Sequence, residues 1–333
     1  MRIVILGAGG LGSLIGGYLA HSGIDVTLIG RAPHVEVIRQ RGLEISGIRG
    51  RVVVRQNLAA ITTPEEARGD FDYFLLTVKG KDTDSALAQA APLRSRVATV
   101  FSLQNGIDHD EKLIRWAGAD RVIGASTIEG GTLGEPGTVV NTLSTPVTAY
   151  FGELDGRVTE RVRSIVEAFN HIGLATKAVD NIVQVEWEKL FQIGLASGFS
   201  AAALAALPDL RIGDGLTVRE GAELYVQLAK ELLAVYNAMG YRPQNFYAPA
   251  SRLKELDDLP FEQAVEAAME QGRRFKADRG RGRTSMHNDL LQRRKTEVDF
   301  IFSPILEKAR ELRIAIPTVA AIYRIIKTLD ANL

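Results

Sequence analysis

The first feature of the chain that can do chemistry is a glycine cluster, GAGGLG, at residues 7–12. An apolar run, RIVIL, precedes it and a helix-like stretch follows it. In this setting Gly7 permits a tight turn, Gly9 lets the backbone approach a pyrophosphate, and Gly12 lets the helix pack closely on the strand. A glycine-rich turn without a ligand is the alternative. The cluster predicts a dinucleotide site, and the residues assigned to it are Gly7, Gly9, Gly10, Leu11 and Gly12.

A basic residue follows the second predicted strand, which ends in TLIGR. Enzymes that use NAD usually carry Asp or Glu at this place, where the carboxylate binds the ribose 2′-hydroxyl. Arg31 instead offers a guanidinium, which suits a 2′-phosphate through bidentate, charge-assisted hydrogen bonds. The sequence therefore predicts NADPH as the cofactor, and a solvated loop cation is the alternative reading of Arg31.

Two further polar side chains follow later strands, in LLTVKGKD and FSLQNGID. Ligands of open α/β sheets bind at the carboxyl ends of the strands, so both stretches are expected at the same edge as the glycines. Lys79 is expected to reach a cofactor phosphate or a substrate carboxylate, and Asn105 to bridge cofactor and substrate. A role in a turn or a helix cap is the alternative for each.

These residues need a particular scaffold, and the sequence pattern predicts it. Short β-branched runs alternate with helical patterns in the first half, which is typical of a parallel sheet with helices on both faces. Gly134, Pro136 and Gly137 indicate a hairpin that extends this sheet in antiparallel fashion. After about residue 178 the pattern is helical. We predict an α/β chain: a Rossmann-type, doubly wound N-terminal domain over residues 1–178 and an all-helical substrate and catalytic domain over residues 179–333.

Composition narrows the function further. The chain has 40 Lys and Arg residues and 40 Asp and Glu residues, so its net charge is zero. It therefore has no overall positive charge that would favour binding to nucleic acid or to an anionic membrane surface. The chain has no cysteine and no run of about 20 apolar residues, which favours a cytoplasmic protein. The five histidines show no metal-binding spacing, so no metal site is predicted. We expect a small-molecule partner and neither nucleic acid nor membrane, and a homodimer stays open.

Five stretches of the chain resemble the ketopantoate reductase (2-dehydropantoate 2-reductase) family: GAGGLG, TVKGKD, LQNGID, VEWEKL and TSMHNDLLQRRKTEVD. The resemblance implies NADPH-dependent reduction of a 2-keto acid, with 2-dehydropantoate as the default substrate, in pantothenate biosynthesis. It also implies that the helical domain covers the nicotinamide end of the cleft. By the same resemblance Lys189 is the catalytic acid, and Ser285 and Glu297 bind substrate.

The chemistry of such a reduction agrees with this assignment of Lys189. A 2-keto acid needs a hydride, a proton for the nascent alkoxide, and donors or a cation for its carboxylate. Lys189 lies beside Trp187, Leu190 and Phe191, and desolvation among such neighbours favours release of its proton. An exposed helix lysine paired with an acid is the alternative reading.

The chain departs from the family pattern at positions that bear on the substrate. The family commonly has asparagines four and eight residues after the lysine, where this chain has Ile193 and Ser197. Phe302 and Ser303 replace a further asparagine and glycine. Ser197 still offers one hydroxyl at its position, and we predict that it binds the substrate. These departures favour a keto acid with a larger apolar side chain, so a paralogue acting on another bulky keto acid or an opine-type imine is one alternative. A non-catalytic NADP-binding sensor is another.

Two expectations concern the C-terminal half. A helix from residue 285 to about 312 would carry Ser285 and Glu297 at opposite ends of one segment, with a kink or break at Pro304 and Ser303 capping the new start. The basic stretch at residues 273–283 is either a clamp for anionic ligands or a solvated, flexible loop, and the second reading is preferred. Its basic residues are Arg273, Arg274, Lys276, Arg279, Arg281 and Arg283.

Overall fold

A computed structural model describes residues 1–205, 207–277 and 283–333 of the chain. The chain forms two compact units, Met1–Glu186 and Trp187–Leu333. The division falls inside a helix, a few residues after the boundary at 178 that the sequence pattern predicts. Among the described residues, no helix combines the length and the apolar character needed to cross a membrane.

In the described parts of the chain, every strand belongs to the first unit. In chain order they are β1 (Arg2–Leu6), β2 (Asp25–Ile29), β3 (Leu43–Gly47), β4 (Val52–Val54), β5 (Leu58–Ile61), β6 (Phe71–Leu76), β7 (Val97–Ser102), β8 (Gly124–Thr127), β9 (Gly130–Leu133), β10 (Thr138–Leu143), β11 (Ala149–Gly152) and β12 (Thr176–Ala178).

The α-helices occur in both units. They are α1 (Gly10–His21), α2 (Ala32–Arg41), α3 (Thr83–Gln89), α4 (His109–Ala117), α5 (Glu160–His171), α6 (Ile182–Leu204), α7 (Ile212–Leu216), α8 (Arg219–Ala238), α9 (Leu253–Asp258), α10 (Phe261–Ala277), α11 (Ser285–Leu291), α12 (Val298–Glu311) and α13 (Pro317–Ala331).

The main sheet has five parallel strands in the order β5-β2-β1-β6-β7. Successive residues of β1 enter different cores, since Ile3 and Ile5 belong to one hydrophobic cluster and Val4 to another. From the central strand β1, the connection through β2 and β5 builds one half of the sheet, and β6 and β7 build the other half. The loops that follow β1 and β6 therefore leave the sheet in opposite directions. This switch point is where open α/β sheets bind ligands. The predicted Rossmann-type sheet is confirmed.

The predicted hairpin forms but does not extend this sheet. β9 and β10 pair in antiparallel fashion around Gly134–Gly137, and β10 then pairs with β3 to give a separate sheet in the order β4-β3-β10-β9. This sheet covers α1, where a side chain at Gly17 would overlap Ile45 and Leu43. The expectation of an extended single sheet is therefore wrong, because the hairpin finds β3 as its partner.

The described part of the second unit is helical, as predicted. Two small residues of α6, Gly194 and Gly198, allow α12 to approach closely. A Cβ at Gly198 would lie 2.7 Å from the ring of Phe302, and one at Gly194 would lie 3.3 Å from Ile305. Phe302 is fully buried at this contact.

The segment that carries Ser285 and Glu297 is two helices rather than one. α11 ends at Leu291, and Arg293 adopts a left-handed conformation with φ 53°. The Arg294 N–H then donates to the Asp289 carbonyl at 2.8 Å, which is a common way to end a helix. The prediction of one continuous helix from residue 285 is wrong because the chain turns at Arg293.

The sequence predicts a kink or a break at Pro304; the break with a new start is wrong, and the kink stays a prediction. α12 runs through Pro304, and its N-terminal cap is Glu297 rather than Ser303. The proline removes one backbone hydrogen bond to the carbonyl of Phe300. The buried side chains Phe302 and Ile305 on either side hold the helix in place and offset that loss.

The basic stretch at residues 273–283 lies partly outside the described residues, which include neither Arg279 nor Arg281. Its first three basic residues belong to α10. Arg273 and Arg274 contact Glu270 at 2.8 and 3.2 Å, and Lys276 contacts Asp214 at 3.2 Å. These contacts are ordinary exposed ion pairs.

The connection between α11 and α12 generates a stability prediction. The Thr296 N–H and hydroxyl donate to the carboxylate of Asp330, at 3.1 and 2.9 Å, and Asp330 is only 9% exposed. We expect Asp330→Ala to lower the free energy of unfolding by about 1–3 kcal/mol, because two donors lose their acceptor. Arg324→Ala, at an exposed position of the same helix, should change it by less than about 0.5 kcal/mol. Equal urea midpoints for the two variants would contradict the prediction.

Candidate functional site

The glycine cluster forms the turn between β1 and α1, as the sequence predicts. Gly7 has φ +118°, a conformation that side chains disfavour. The N–H groups of Gly7 and Ala8 both donate to the carbonyl of Ile29 at 3.0 Å, and the Thr77 hydroxyl donates to the carbonyl of Gly7 at 2.8 Å. The turn is therefore fixed to the ends of both neighbouring strands.

The four glycines of this turn have different surroundings. A Cβ at Gly12 would overlap the Gly7 carbonyl, and one at Gly10 would overlap the carbonyl of Gly131 in β9. At Gly9, by contrast, no atom of the described chain lies within 4 Å of such a Cβ. Gly9 also precedes the first residue of α1, where backbone N–H groups point outward. Its open side fits the pyrophosphate of a dinucleotide, which needs this close approach.

Arg31 stands between β2 and α2, and its side chain is exposed. Its backbone carbonyl accepts hydrogen bonds from the N–H groups of His34 and Val35, both at 3.1 Å. The first turn of α2 thus fixes the backbone at Arg31 while the guanidinium extends into solvent. The contact of Arg31 with a 2′-phosphate stays a prediction.

The loops after β6 and β7 are joined by a residue that sequence reasoning missed. Gln104 is 8% exposed, and its side-chain amide donates to the Val78 carbonyl at 2.7 Å and to the Thr83 hydroxyl at 2.8 Å. Lys79, which is exposed, follows Val78 directly, and the half-buried Asn105 follows Gln104. Gln104 therefore holds the two predicted site residues on adjacent loops. Its position beside Asn105 in LQNG was the available signal.

A buried acidic cluster lies just beyond Asn105. His109, Asp110 and Glu186 offer potential metal-ligand atoms within 4.8 Å of one another. Burial raises the pKa of Asp110, while His109 and a hydrogen bond to Glu186 oppose that increase. Glu186 also accepts a hydrogen bond from the Ala125 N–H at 3.0 Å. These three residue types can also bind a metal ion, so the absence of a metal site stays a prediction.

Lys189 lies on α6 and is only 6% exposed. The adjacent Glu188 is turned the other way, since its carboxylate accepts the N–H groups of Gln244 and Phe246 at 2.8 and 3.1 Å. Burial raises the pKa of Glu188, and these hydrogen bonds oppose the increase. These hydrogen bonds connect Glu188 to the 241–250 segment, so this carboxylate attaches α6 to that segment.

The remaining predicted site residues lie on three helices of the second unit. Ser197 is 3% exposed on α6, about 80° around the helix from Lys189. Ser285 is the exposed first residue of α11, and Glu297 is the half-buried cap of α12. The predicted cofactor residues therefore belong to the first unit, and the predicted acid and most of the predicted substrate residues belong to the second.

The contrast between two glycines tests the cofactor site. We expect Gly9→Ala to fold normally but to weaken cofactor binding by about tenfold or more, because its methyl group occupies the space a pyrophosphate needs. Gly12→Ala should lower the thermal midpoint instead, because its methyl group meets the Gly7 carbonyl and the Thr77 hydroxyl. Thermal unfolding and calorimetric cofactor titration measure both effects. Unchanged cofactor affinity in Gly9→Ala would refute this placement of the pyrophosphate.

The chain is similar to known proteins along nearly its whole length. Residues 3–156 match the family described as ketopantoate reductase PanE/ApbA, and residues 181–330 match the C-terminal part of the same family. A 2-dehydropantoate 2-reductase of Pyrococcus horikoshii is 32% identical over 333 residues, which cover 99% of this chain and 98% of that protein.

Solved structures agree with this similarity. A 2-dehydropantoate 2-reductase from Geobacter metallireducens is 25% identical with a TM-score of 0.79, and the match covers 98% of this chain and 99% of that one. A D-mandelate dehydrogenase, solved with NADH and anilino(oxo)acetate, shares the fold at 20% identity and a TM-score of 0.76, covering 100% and 99% of the two chains. The chain belongs to the ketopantoate reductase PanE/ApbA family of oxidoreductases.

Proposed function

We propose that the protein reduces a 2-keto acid to a 2-hydroxy acid with NADPH, and that Lys189 is the proton donor. The observation that carries the proposal is the burial of Lys189, which is 6% exposed on α6. Buried ionisable side chains concentrate at active sites, and the position of this lysine in VEWEKL matches that of the family's catalytic acid. A sensor that only binds the cofactor needs no such group.

The cofactor residues are proposed from the first unit. Backbone N–H groups at Gly9 and the start of α1 receive the pyrophosphate, and the guanidinium of Arg31 receives the 2′-phosphate. Lys79 and Asn105 follow the strands on the other side of the switch point, and we assign them to cofactor binding, with Asn105 also contacting the substrate. When bound, NADPH supplies the hydride that the carbonyl carbon accepts.

The proton transfer is proposed from the second unit. The Lys189 ammonium donates a proton to the substrate carbonyl oxygen, which becomes the product hydroxyl, and the neutral amine is then reprotonated from solvent. Ser285 and Glu297 are assigned to substrate binding because they match the family pattern. Ser197 is assigned because it lies about two turns after Lys189 on α6 and about 80° around the helix from it. Soluble, cytoplasmic action fits the small-molecule chemistry.

The default substrate is 2-dehydropantoate, as the names of the relatives suggest. A second candidate is a keto acid with a larger apolar side chain. Ile193 lies about 40° around α6 from Lys189 and is half-buried, so an apolar group takes the place of an amide near the acid. The D-mandelate dehydrogenase neighbour shows that the fold is not restricted to one substrate.

A variant of Lys189 tests the mechanism. Lys189→Ala should leave NADPH affinity nearly intact and lower turnover by about 10²- to 10⁴-fold, the usual share of general acid catalysis. Lys254→Ala, at an exposed position of the same unit, is the matched control and should keep its turnover. Stopped-flow NADPH absorbance and calorimetry give the two quantities. Ordinary turnover in Lys189→Ala would remove this residue from the mechanism.

A panel of keto acids, with and without amines, tests the substrate. If the second candidate is right, the protein prefers a bulky apolar keto acid, and Ile193→Asn raises its relative activity on 2-dehydropantoate because an amide can bind the substrate hydroxyl. Ile325→Asn, on an exposed face of α13, is the control. A kcat/KM on 2-dehydropantoate of about 10⁴ M⁻¹s⁻¹ or more in the unmodified protein would exclude the second candidate. Cofactor binding without turnover of any keto acid would favour the sensor.

A further inference from the structure

His34 is a buried histidine in the first turn of α2 that the proposed reaction does not use. It is 5% exposed, and both ring nitrogens have hydrogen-bond partners. Nδ1 accepts the Gly137 N–H at 2.9 Å, and Nε2 lies 3.1 Å from the Ser13 hydroxyl. Because a backbone N–H can only donate, Nδ1 carries no proton, and the neutral ring holds its proton on Nε2 and donates it to Ser13.

These hydrogen bonds connect the two places where the cofactor is proposed to bind. The Ser13 N–H donates to the Gly9 carbonyl at 2.9 Å, and the His34 N–H donates to the Arg31 carbonyl at 3.1 Å. A continuous path therefore runs from Gly9 through Ser13 and His34 to Arg31. The Gly137 bond attaches the same ring to the hairpin between β9 and β10.

We propose that His34 is a positioning residue for cofactor selection: it holds Arg31 at a fixed distance from Gly9 and so determines the preference for NADPH over NADH. The inference rests on the proposed use of NADPH. The pyrophosphate and the 2′-phosphate are parts of one molecule, so both contacts form together only if their spacing is right. A charge-assisted, bidentate contact is sensitive to such displacement.

The imidazole is required for its polar atoms and not only for its volume. An apolar side chain of similar size would leave the Gly137 N–H and the buried Ser13 hydroxyl without their partner. Glutamine keeps one acceptor and one donor, about as far apart as the two ring nitrogens, so it is the conservative replacement. This distinction separates positioning by hydrogen bonds from simple packing.

Protonation of the ring would break the path. Burial lowers the pKa of His34 below its ordinary value of 6.5. The charged side chains on the adjoining turns, Arg31, Glu36 and Glu135, are exposed. As the pH falls below 6.5 and through the lowered pKa, Nδ1 gains a proton and can no longer accept the Gly137 N–H. The contribution of this bond is therefore complete at neutral pH and is lost on the acid side.

A double-mutant cycle on the full-length protein tests the proposal, with calorimetric affinities for NADPH and NADH measured in the absence of substrate. His34→Ala should lower the ratio of NADPH to NADH affinity by about tenfold, and His34→Gln should restore most of it. In an Arg31→Ala background, His34→Ala should change the ratio no further, because its effect passes through Arg31. A merely structural role would lower the thermal midpoint and leave the ratio unchanged.

The pH dependence gives a second readout that does not need His34→Ala to fold. Below pH 6.5, as the pH passes through the lowered pKa of His34, the NADPH affinity of the unmodified protein should fall more steeply than that of His34→Gln. The 2′-phosphate titrates equally in both proteins, so the difference reports on His34 alone. Parallel pH profiles, or an unchanged affinity ratio in folded His34→Ala, would overturn the proposal. Equal affinity of the unmodified protein for both cofactors would overturn the NADPH assignment itself.

Discussion

The close approach of α1 to the end of β1 is the constraint on which the first unit depends. Gly12 lies so near the Gly7 carbonyl that any side chain would separate helix and strand. The Ile29 carbonyl accepts hydrogen bonds from two N–H groups of the turn. On the other side of the turn, the Thr77 hydroxyl donates to the Gly7 carbonyl. Because the turn is bonded to β2 and to the residue that follows β6, the loops that carry Arg31 and Lys79 are placed relative to it.

Helix α6 imposes a comparable constraint on the second unit, because different sides of the helix make different contacts. Gly194 and Gly198 receive α12. The carboxylate of Glu188 accepts the N–H groups of the 241–250 segment. By helical geometry Lys189 lies about 100° from Glu188 and about 180° from Gly198. The lysine therefore occupies a side of α6 that neither of these contacts uses, even though it is adjacent in sequence to a buried acid.

The sequence predicted those features that depend on local pattern. β-branched runs identified the central strands, and Gly7, Gly9 and Gly12 identified the turn, because each signal is contained in a few adjacent residues. The turn at Arg293, which follows the end of α11, was not predicted, since an arginine in a left-handed conformation leaves no compositional signal. His34 and Gln104 were missed for a related reason: their partners Gly137 and Val78 are distant in sequence and become neighbours only in the fold.

The departures from the family pattern are of two kinds: one affects the packing of helices, and the other lies on the side of α6 that carries Lys189. Phe302 replaces a polar residue, but it is fully buried against Gly198, on the side of α6 that lies opposite Lys189. A large ring there is compensated by the absence of a side chain at Gly198, so this change concerns helix packing. Ile193 lies within about 40° of Lys189, on a different side of α6 from Gly198. Of these departures, Ile193 and Ser197 are therefore the ones that we propose to bear on the substrate, and Phe302 is assigned to helix packing.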